Sequence, residues 1–264
     1  MDSAHAAALV ERVSWIVVYF GLVALLFRLW RANLLRKYRF FGVYLAGEIL
    51  QSSVLFPISR ESEAYFIVFL VFAAAQCLLA ILVVLELYGL VLRGFAGIGS
   101  LGRWVVSGGM TFAFLVATVS LYPDLANPET ASPALLYLAS FQRGVYSALL
   151  FFLFLITVFL VWFPVPLSRN TVVHTIIFAV YFSSFSVLLL IRNVADAAMG
   201  TIYLLSTIYM VVYALCLVAW NLLLTEEGER RTIVFGHRWS PSDSNRLVGQ
   251  LDTLNTALLR TARK

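Results

Sequence analysis

Charge is what this sequence has least of. Asp, Glu, Lys and Arg together make up 12% of its 264 residues, while 61% are hydrophobic and the mean hydropathy is +0.90. Soluble globular chains carry about 25% charged residues, so this one cannot cover a surface that faces water. An ordinary cytosolic enzyme, a disordered chain, a nucleic-acid-binding domain and a secreted disulfide scaffold are excluded together. Lysine is rarer still: Lys37 and Lys264 stand alone, both outside the long apolar runs, which removes an intramembrane Schiff base of the retinal type. Cysteine is limited to Cys77 and Cys216, both inside apolar runs and without CxxC spacing, so no external staple is expected. His5, His174 and His237 lie in three separate regions with no HExxH, and GxSxG is absent, so neither a metal site nor a nucleophile elbow is implied. No cofactor is implied either.

What the sequence has in quantity is long apolar runs. About 20 mostly apolar residues cross a hydrocarbon core of about 30 Å, and seven stretches meet that measure: 13–30, 40–58, 65–92, 104–122, 134–163, 171–191 and 200–224. Each is continuously apolar rather than alternating, which selects helices over barrel strands. The breaks carry glycines (Gly94, Gly97, Gly99 and Gly102), prolines (Pro123, Pro128, Pro133, Pro164 and Pro166) or charge. The break over 192–199, with Arg192, Asn193 and Asp196, is the weakest.

Basic residues orient the bundle. With the first connection placed in the cytoplasm, 15 of the 19 Lys and Arg residues fall on that side, and Arg12, Arg60, Arg143 and Arg192 remain outside. That bias sets the N-terminus outside and the C-terminus inside. Trp15, Trp30, Trp104, Trp162 and Trp220 all fall near span ends, where indoles sit at headgroup level. A multi-pass protein of the cell membrane is expected.

Two motifs look like chemistry. Gly97, Gly99 and Gly102 form a GxGxxG, but it joins two apolar runs, and Tyr122 stands where an acid would be needed, so a turn is expected. Residues 226–231, Glu-Glu-Gly-Glu-Arg-Arg, resemble the EExxxR pattern of membrane-embedded CAAX-type proteases. That family carries further glutamate- and histidine-bearing helices after the motif, and none follows here, so a solvated charge run is expected.

Polar residues inside the spans are the candidate site. A charge at the centre of a span costs about 2.5–3.5 kcal/mol. Glu48 and Gln51 lie near the middle of the second span, Gln76 near the middle of the third, and Gln142 and Arg143 in the outer part of the fifth. With Tyr203, they form a candidate polar cavity for a small-molecule ligand. Glu48 shares a helix face with Gln51 and Ser52, and two readings stay open for it: a cavity-lining acid, or a buried ion pair with Arg143. Glu86, His174 and Asn221 fall at one inner depth and are expected as a second polar cluster, with Glu86 and His174 as a proton-sensitive or simply hydrogen-bonded pair. Tyr209, Tyr213, Cys216 and Trp220 gather on one side of the seventh span.

After residue 224 the composition changes. Residues 230–239 mix Arg with Ile233, Val234, Phe235 and Trp239, a composition suited to anionic headgroups. Ser240, Pro241 and Asp243 then read as a helix start, with an N-cap serine, a first-turn proline and an acid. A helix over about 241–262 follows, and Leu247, Leu251, Leu254 and Leu258 give it one apolar stripe, expected to dock on the membrane surface or the protein's own cytoplasmic face ahead of a partner helix.

The expected fold class is all-α: one seven-helix membrane bundle over 1–224 and a cytoplasmic tail over 225–264. By topology it is similar to the seven-helix sensory modules of bacteria, though no residue motif carries the likeness. The leading function is a ligand-sensing or interaction module working through its tail. A small-solute or proton-coupled transporter comes second and a lipid- or quinone-handling enzyme third. Expected partners are the bilayer, a small ligand and a cytoplasmic protein, and not nucleic acid. A cysteine appended after Lys264 should react with an impermeant maleimide only in opened cells; labelling of intact cells reverses the topology.

Overall fold

The computed structural model describes residues 3–59, 62–92, 133–162, 166–194, 199–234 and 240–261, with Gly108, Thr111 and Leu115 between them. The chain is mostly helical. Among the described residues, the long helices are α1 (Ser3–Arg31), α2 (Arg39–Leu55), α3 (Glu63–Val91), α4 (Pro133–Trp162), α5 (Arg169–Val194) and α6 (Met199–Leu223). A short α7 (Glu226–Arg230) and the tail helix α8 (Pro241–Thr261) follow. Four helical segments among the described residues are long and apolar enough to cross a membrane: Val13–Arg31, Glu63–Val91, Phe141–Trp162 and Arg169–Leu188. The predicted span 104–122 and the GxGxxG turn lie outside the described residues, apart from helical Gly108, Thr111 and Leu115.

Several boundaries differ from expectation for local reasons. Helix α1 starts at Ser3 rather than residue 13, because the alanine-rich lead-in is a strong helix former. Helix α2 ends at Leu55 rather than 58, since Pro57 has no amide to continue the ladder. At 17 residues it is somewhat shorter than a full crossing requires. Helix α5 runs on to Val194, so Arg192 and Asn193 are helical rather than part of a connection.

The six long helices pack in a ring, each on the next, with α6 closing back on α1. Inside lie Leu22, Leu25 and Leu29 of α1, Phe41, Tyr44 and Leu45 of α2, and Cys77, Ala80, Val84 and Leu87 of α3. Phe178 and Phe182 of α5 and Trp220 of α6 complete the core, all fully buried. Phe178 sits at its centre, with its ring 5.6 Å from Phe41, 5.3 Å from Phe182 and 4.9 Å from Trp220. Phe20, Phe27, Leu50, Val71, Leu78, Phe154, Val180, Leu215 and Leu222 project outward and are exposed. An apolar belt of that extent suits lipid and not water.

The all-α expectation needs one amendment. Residues 166–168 and 232–234 form strands β1 (Pro166–Ser168) and β2 (Thr232–Val234), paired antiparallel with Leu167 opposite Ile233. Strands of three residues are too short to show alternation in the sequence. The described part of the 230–239 segment is thus tied to the bundle by a backbone ladder rather than set free for headgroups. Helix α8 starts as expected: the Asp243 amide donates to Ser240 Oγ at 3.2 Å, and Ser240 Oγ donates to Asp243 Oδ2 at 2.6 Å. Of its stripe, Leu251 is buried in the bundle core, Leu247 is half-buried and Leu254 is exposed, while the Leu258 side chain lies outside the described residues.

Cutting Phe178 to alanine should destabilise the bundle by about 3 kcal/mol, read as a lowered unfolding midpoint in mixed micelles. A change below about 0.5 kcal/mol would mean that packing around this ring does not hold the helices together.

Candidate functional site

Two polar sites are built into the ring, one at its Arg-rich end and one in its interior. The end site starts from the short connection between α1 and α2. There a single 3-10 turn (Leu34–Arg36) follows Asn33, which takes the left-handed conformation (φ 54°) that asparagine tolerates better than most residues. This turn presents Lys37 and Tyr38 inward. Lys37 forms an ion pair with Glu229 of α7, and its Nζ also donates to Ser168 Oγ at 3.4 Å. The Tyr38 hydroxyl donates to Glu229 Oε2 at 3.1 Å and lies 3.4 Å from Thr171 Oγ1, which stands 2.9 Å from Ser168 Oγ. Burial holds the Tyr38 phenol well above its ordinary range; the Thr171 hydrogen bond opposes this and the Glu229 carboxylate adds to it. Tyr38 is therefore a donor, never an anion, at physiological pH.

Asn170, fully buried at the start of α5, locks the tail in place. Its Nδ2 donates to the Thr225 carbonyl at 2.7 Å and to Glu229 Oε2 at 3.4 Å, and its Oδ1 accepts from the Thr225 amide at 3.3 Å. Thr225 caps α7 by accepting from the Gly228 amide at 3.0 Å. Gly228 has no side chain because Asn170 Oδ1 and Thr225 Oγ1 occupy the space a Cβ would need. Within the EExxxR-like run, Glu226 pairs with Arg230 and Glu227 with Arg231 at the exposed surface, as a solvated charge run should. Glu229 is the exception, turned inward. Nothing in its spacing distinguished it from its neighbours.

The expected inner cluster of Glu86, His174 and Asn221 does not assemble. Glu86 accepts from the Phe40 and Phe41 amides at 3.1 and 3.3 Å, so it caps the N-terminus of α2. Among the described residues His174 has no hydrogen-bond partner at either ring nitrogen, and it is fully buried among aromatic rings, with centroids 5.3 Å from Tyr38, 4.3 Å from Phe41, 4.8 Å from Phe178 and 5.8 Å from Trp220. Asn221 Nδ2 donates to the Gly21 and Leu217 carbonyls at 3.3 and 2.9 Å, tying α6 to α1. Equal depth put the three at one level, but each belongs to a different helix pair.

The interior site surrounds Glu48. No cation pairs with it among the described residues, so the ion pair with Arg143 is not formed. Glu48 stands one turn after Tyr44 on α2; the Tyr44 hydroxyl leads into a tyrosine group of Tyr181, Tyr209 and Tyr213, with Tyr146 packed on Phe182 beside Tyr181. These tyrosines come from α2, α4, α5 and α6. The Tyr44 and Tyr181 hydroxyls are 3.2 Å apart, and Tyr209 donates to Tyr181 at 3.1 Å. The Tyr213 ring is 5.3 Å from Tyr181 and lies parallel to Tyr209 at 6.2 Å.

Gln76 of α3 reaches the same level, against Gly47: a Cβ there would come within 2.9 Å of Gln76 Nε2. Its side chain is 4% exposed, and neither amide atom has a hydrogen-bond partner among the described residues. Leaving such a group unpaired costs about 1–3 kcal/mol. Gln51, Gln142 and Arg143 are half-buried, and the Tyr203 side chain lies outside the described residues. Cys77 and Cys216 are free, buried thiols, and the described residues hold no cluster of three metal-ligating side chains. Sequence reading missed Tyr44, Tyr146 and Tyr181, which sit in apolar runs like ordinary core aromatics. The one available signal was the four-residue spacing of Tyr44 and Glu48.

The chain matches no protein-family model, no curated protein and no solved structure.

A double-mutant cycle over Lys37→Met and Glu229→Gln should give a coupling of about 1 kcal/mol, because each single change strands a half-buried partner. Additive losses in thermal unfolding would mean that the pair does not hold the tail.

Proposed function

We propose that the protein is a seven-helix membrane sensor in which an interior aromatic-carboxylate site is coupled to the tail through α5. In this reading, residues 104–122 supply the remaining span, the N-terminus is outside, and the Lys37–Glu229 end faces the cytoplasm, as the distribution of basic residues favours. The supporting observation is that one helix serves both sites. Tyr181 of α5 takes hydrogen bonds at the interior site, while Thr171 and Asn170 of the same helix bind Tyr38, Thr225 and Glu229 at the tail. At 1.5 Å per residue, these positions are about 16 Å apart along a rigid rod. His174 and Phe178 pack the turns between them among buried rings.

A ligand that bound one setting of α5 better than another would shift the population of tail states by its differential affinity. Helix α8, with exposed Leu254 and Leu259 beyond its buried Leu251, then offers a cytoplasmic protein partner an apolar face whose placement depends on that state.

The test uses the full chain in lipid nanodiscs. Glu48→Gln and Tyr181→Phe should each change amide exchange over residues 226–261 by about threefold or more while the bundle stays folded, since local opening reports the tail's own stability. Tail exchange identical to the parent in both variants rules out the coupling.

A further inference from the structure

We propose that Arg169 and Arg231 form a phosphate clamp for an anionic glycerophospholipid at the bilayer surface. This goes beyond the sensor reading and does not depend on it. Strands β1 and β2 pair with Ser168 opposite Thr232, so the next residues along, Arg169 and Arg231, stand opposite one another, and the Arg169 amide donates to the Arg231 carbonyl at 2.9 Å. Residues directly opposite on an antiparallel ladder hold their Cβ atoms about 4.5–5.5 Å apart, and like charges there destabilise the pairing. A third cation is close by, since Lys37 Nζ donates to Ser168 Oγ at 3.4 Å.

The described acids of this corner are committed elsewhere. Glu229 pairs with Lys37, Glu226 pairs with Arg230, and Glu86 accepts from the Phe40 and Phe41 amides. Glu227 approaches Arg231 only to 4.0 Å, with the two side chains 84% and 70% exposed, and a pair so open is worth little. Arg169 is half-buried and has no ion pair among the described residues. A phosphodiester supplies what the ladder lacks: one negative charge, and oxygens that two guanidinium forks can share.

The position of the clamp selects lipid as the source of that phosphate. Trp30, Phe40 and Trp162 stand at or next to the ends of α1, α2 and α4 on this side of the ring, and they are 65%, 42% and 61% exposed. Exposed aromatics at helix ends mark the headgroup level. Strand β1 begins four residues after Trp162, a reach of at most about 14 Å. Arg36 and Arg39, both exposed on the neighbouring connection, add to the attraction for an anionic surface. The ladder fixes the backbone at Arg231 and still leaves its side chain open to that surface.

The experiment titrates the full chain in mixed micelles with dioctanoyl-phosphatidylglycerol and, separately, with dioctanoyl-phosphatidylcholine, and counts bound lipid by native mass spectrometry. The first phosphatidylglycerol should bind at least about tenfold more tightly than phosphatidylcholine. Arg169→Gln and Arg231→Gln should each cut that preference by about fivefold or more, whereas Arg36→Gln, at an exposed arginine outside the clamp, should change it by less than about twofold. Added inorganic phosphate at about 10 mM should leave lipid occupancy unchanged. Equal binding of the two lipids, an equal loss in Arg36→Gln, or displacement by free phosphate would each overturn the proposal. If Arg169→Gln fails to fold, Arg231→Gln at its exposed position still decides.

Discussion

Lys37 and Glu229 stand 192 residues apart in the chain, yet their ion pair joins the first helix connection to the segment after the last long helix. A half-buried pair of this kind adds little net stability over apolar replacements. Its importance is positional. Once Glu229 is held, its second oxygen accepts from Tyr38, Asn170 can bridge to Thr225, and β2 is brought against β1. The backbone amide of Arg169 then donates to the Arg231 carbonyl at 2.9 Å, extending the ladder by one bond. The tail leaves the bundle in one direction because these bonds are made together.

Helix α5 is the element on which both polar sites depend. Its first two turns carry small polar residues, Asn170, Thr171 and Thr175, which are all buried. Its middle turns are aromatic: His174, Phe178, Tyr181 and Phe182. Where lipid lies on the far side of a helix, association depends on close packing and hydrogen bonds between helices rather than on expulsion of water. An edge-to-face column of rings supplies that packing, while hydroxyl and amide groups at its two ends supply direction. His174 is the one polar residue in the middle of the column, and it serves there as an aromatic ring.

The elements that could be read in advance are those whose causes are local. Apart from the early start of α1 at Ser3, apolar runs located the described long helices to within a few residues, and Ser240 marked the start of α8 because an N-cap acts within three residues of itself. Glu48 and Gln76 were identifiable as candidates because lipid penalises them wherever they sit. Their surroundings were not identifiable. Tyr44 and Tyr181 look like core aromatics until helices α2 and α5 bring their hydroxyls within 3.2 Å of each other. Counting residues from span ends placed Glu86, His174 and Asn221 at equal depth, but depth says nothing about rotation about a helix axis. That rotation turns Glu86 to the α2 N-terminus, His174 into a nest of rings and Asn221 toward α1.

Composition and periodicity by themselves determined that this is a helical chain with segments fit for lipid, and which of its polar residues are costly there. Both follow from transfer free energies that each residue carries with it. Only the tertiary structure decided that Glu229 turns inward while Glu226 and Glu227 do not, that three residues after α4 pair with three beyond α7, and that Glu48 makes no ion pair with Arg143. Those outcomes depend on azimuth and on contacts between residues far apart in the chain, and no one-dimensional pattern encodes them.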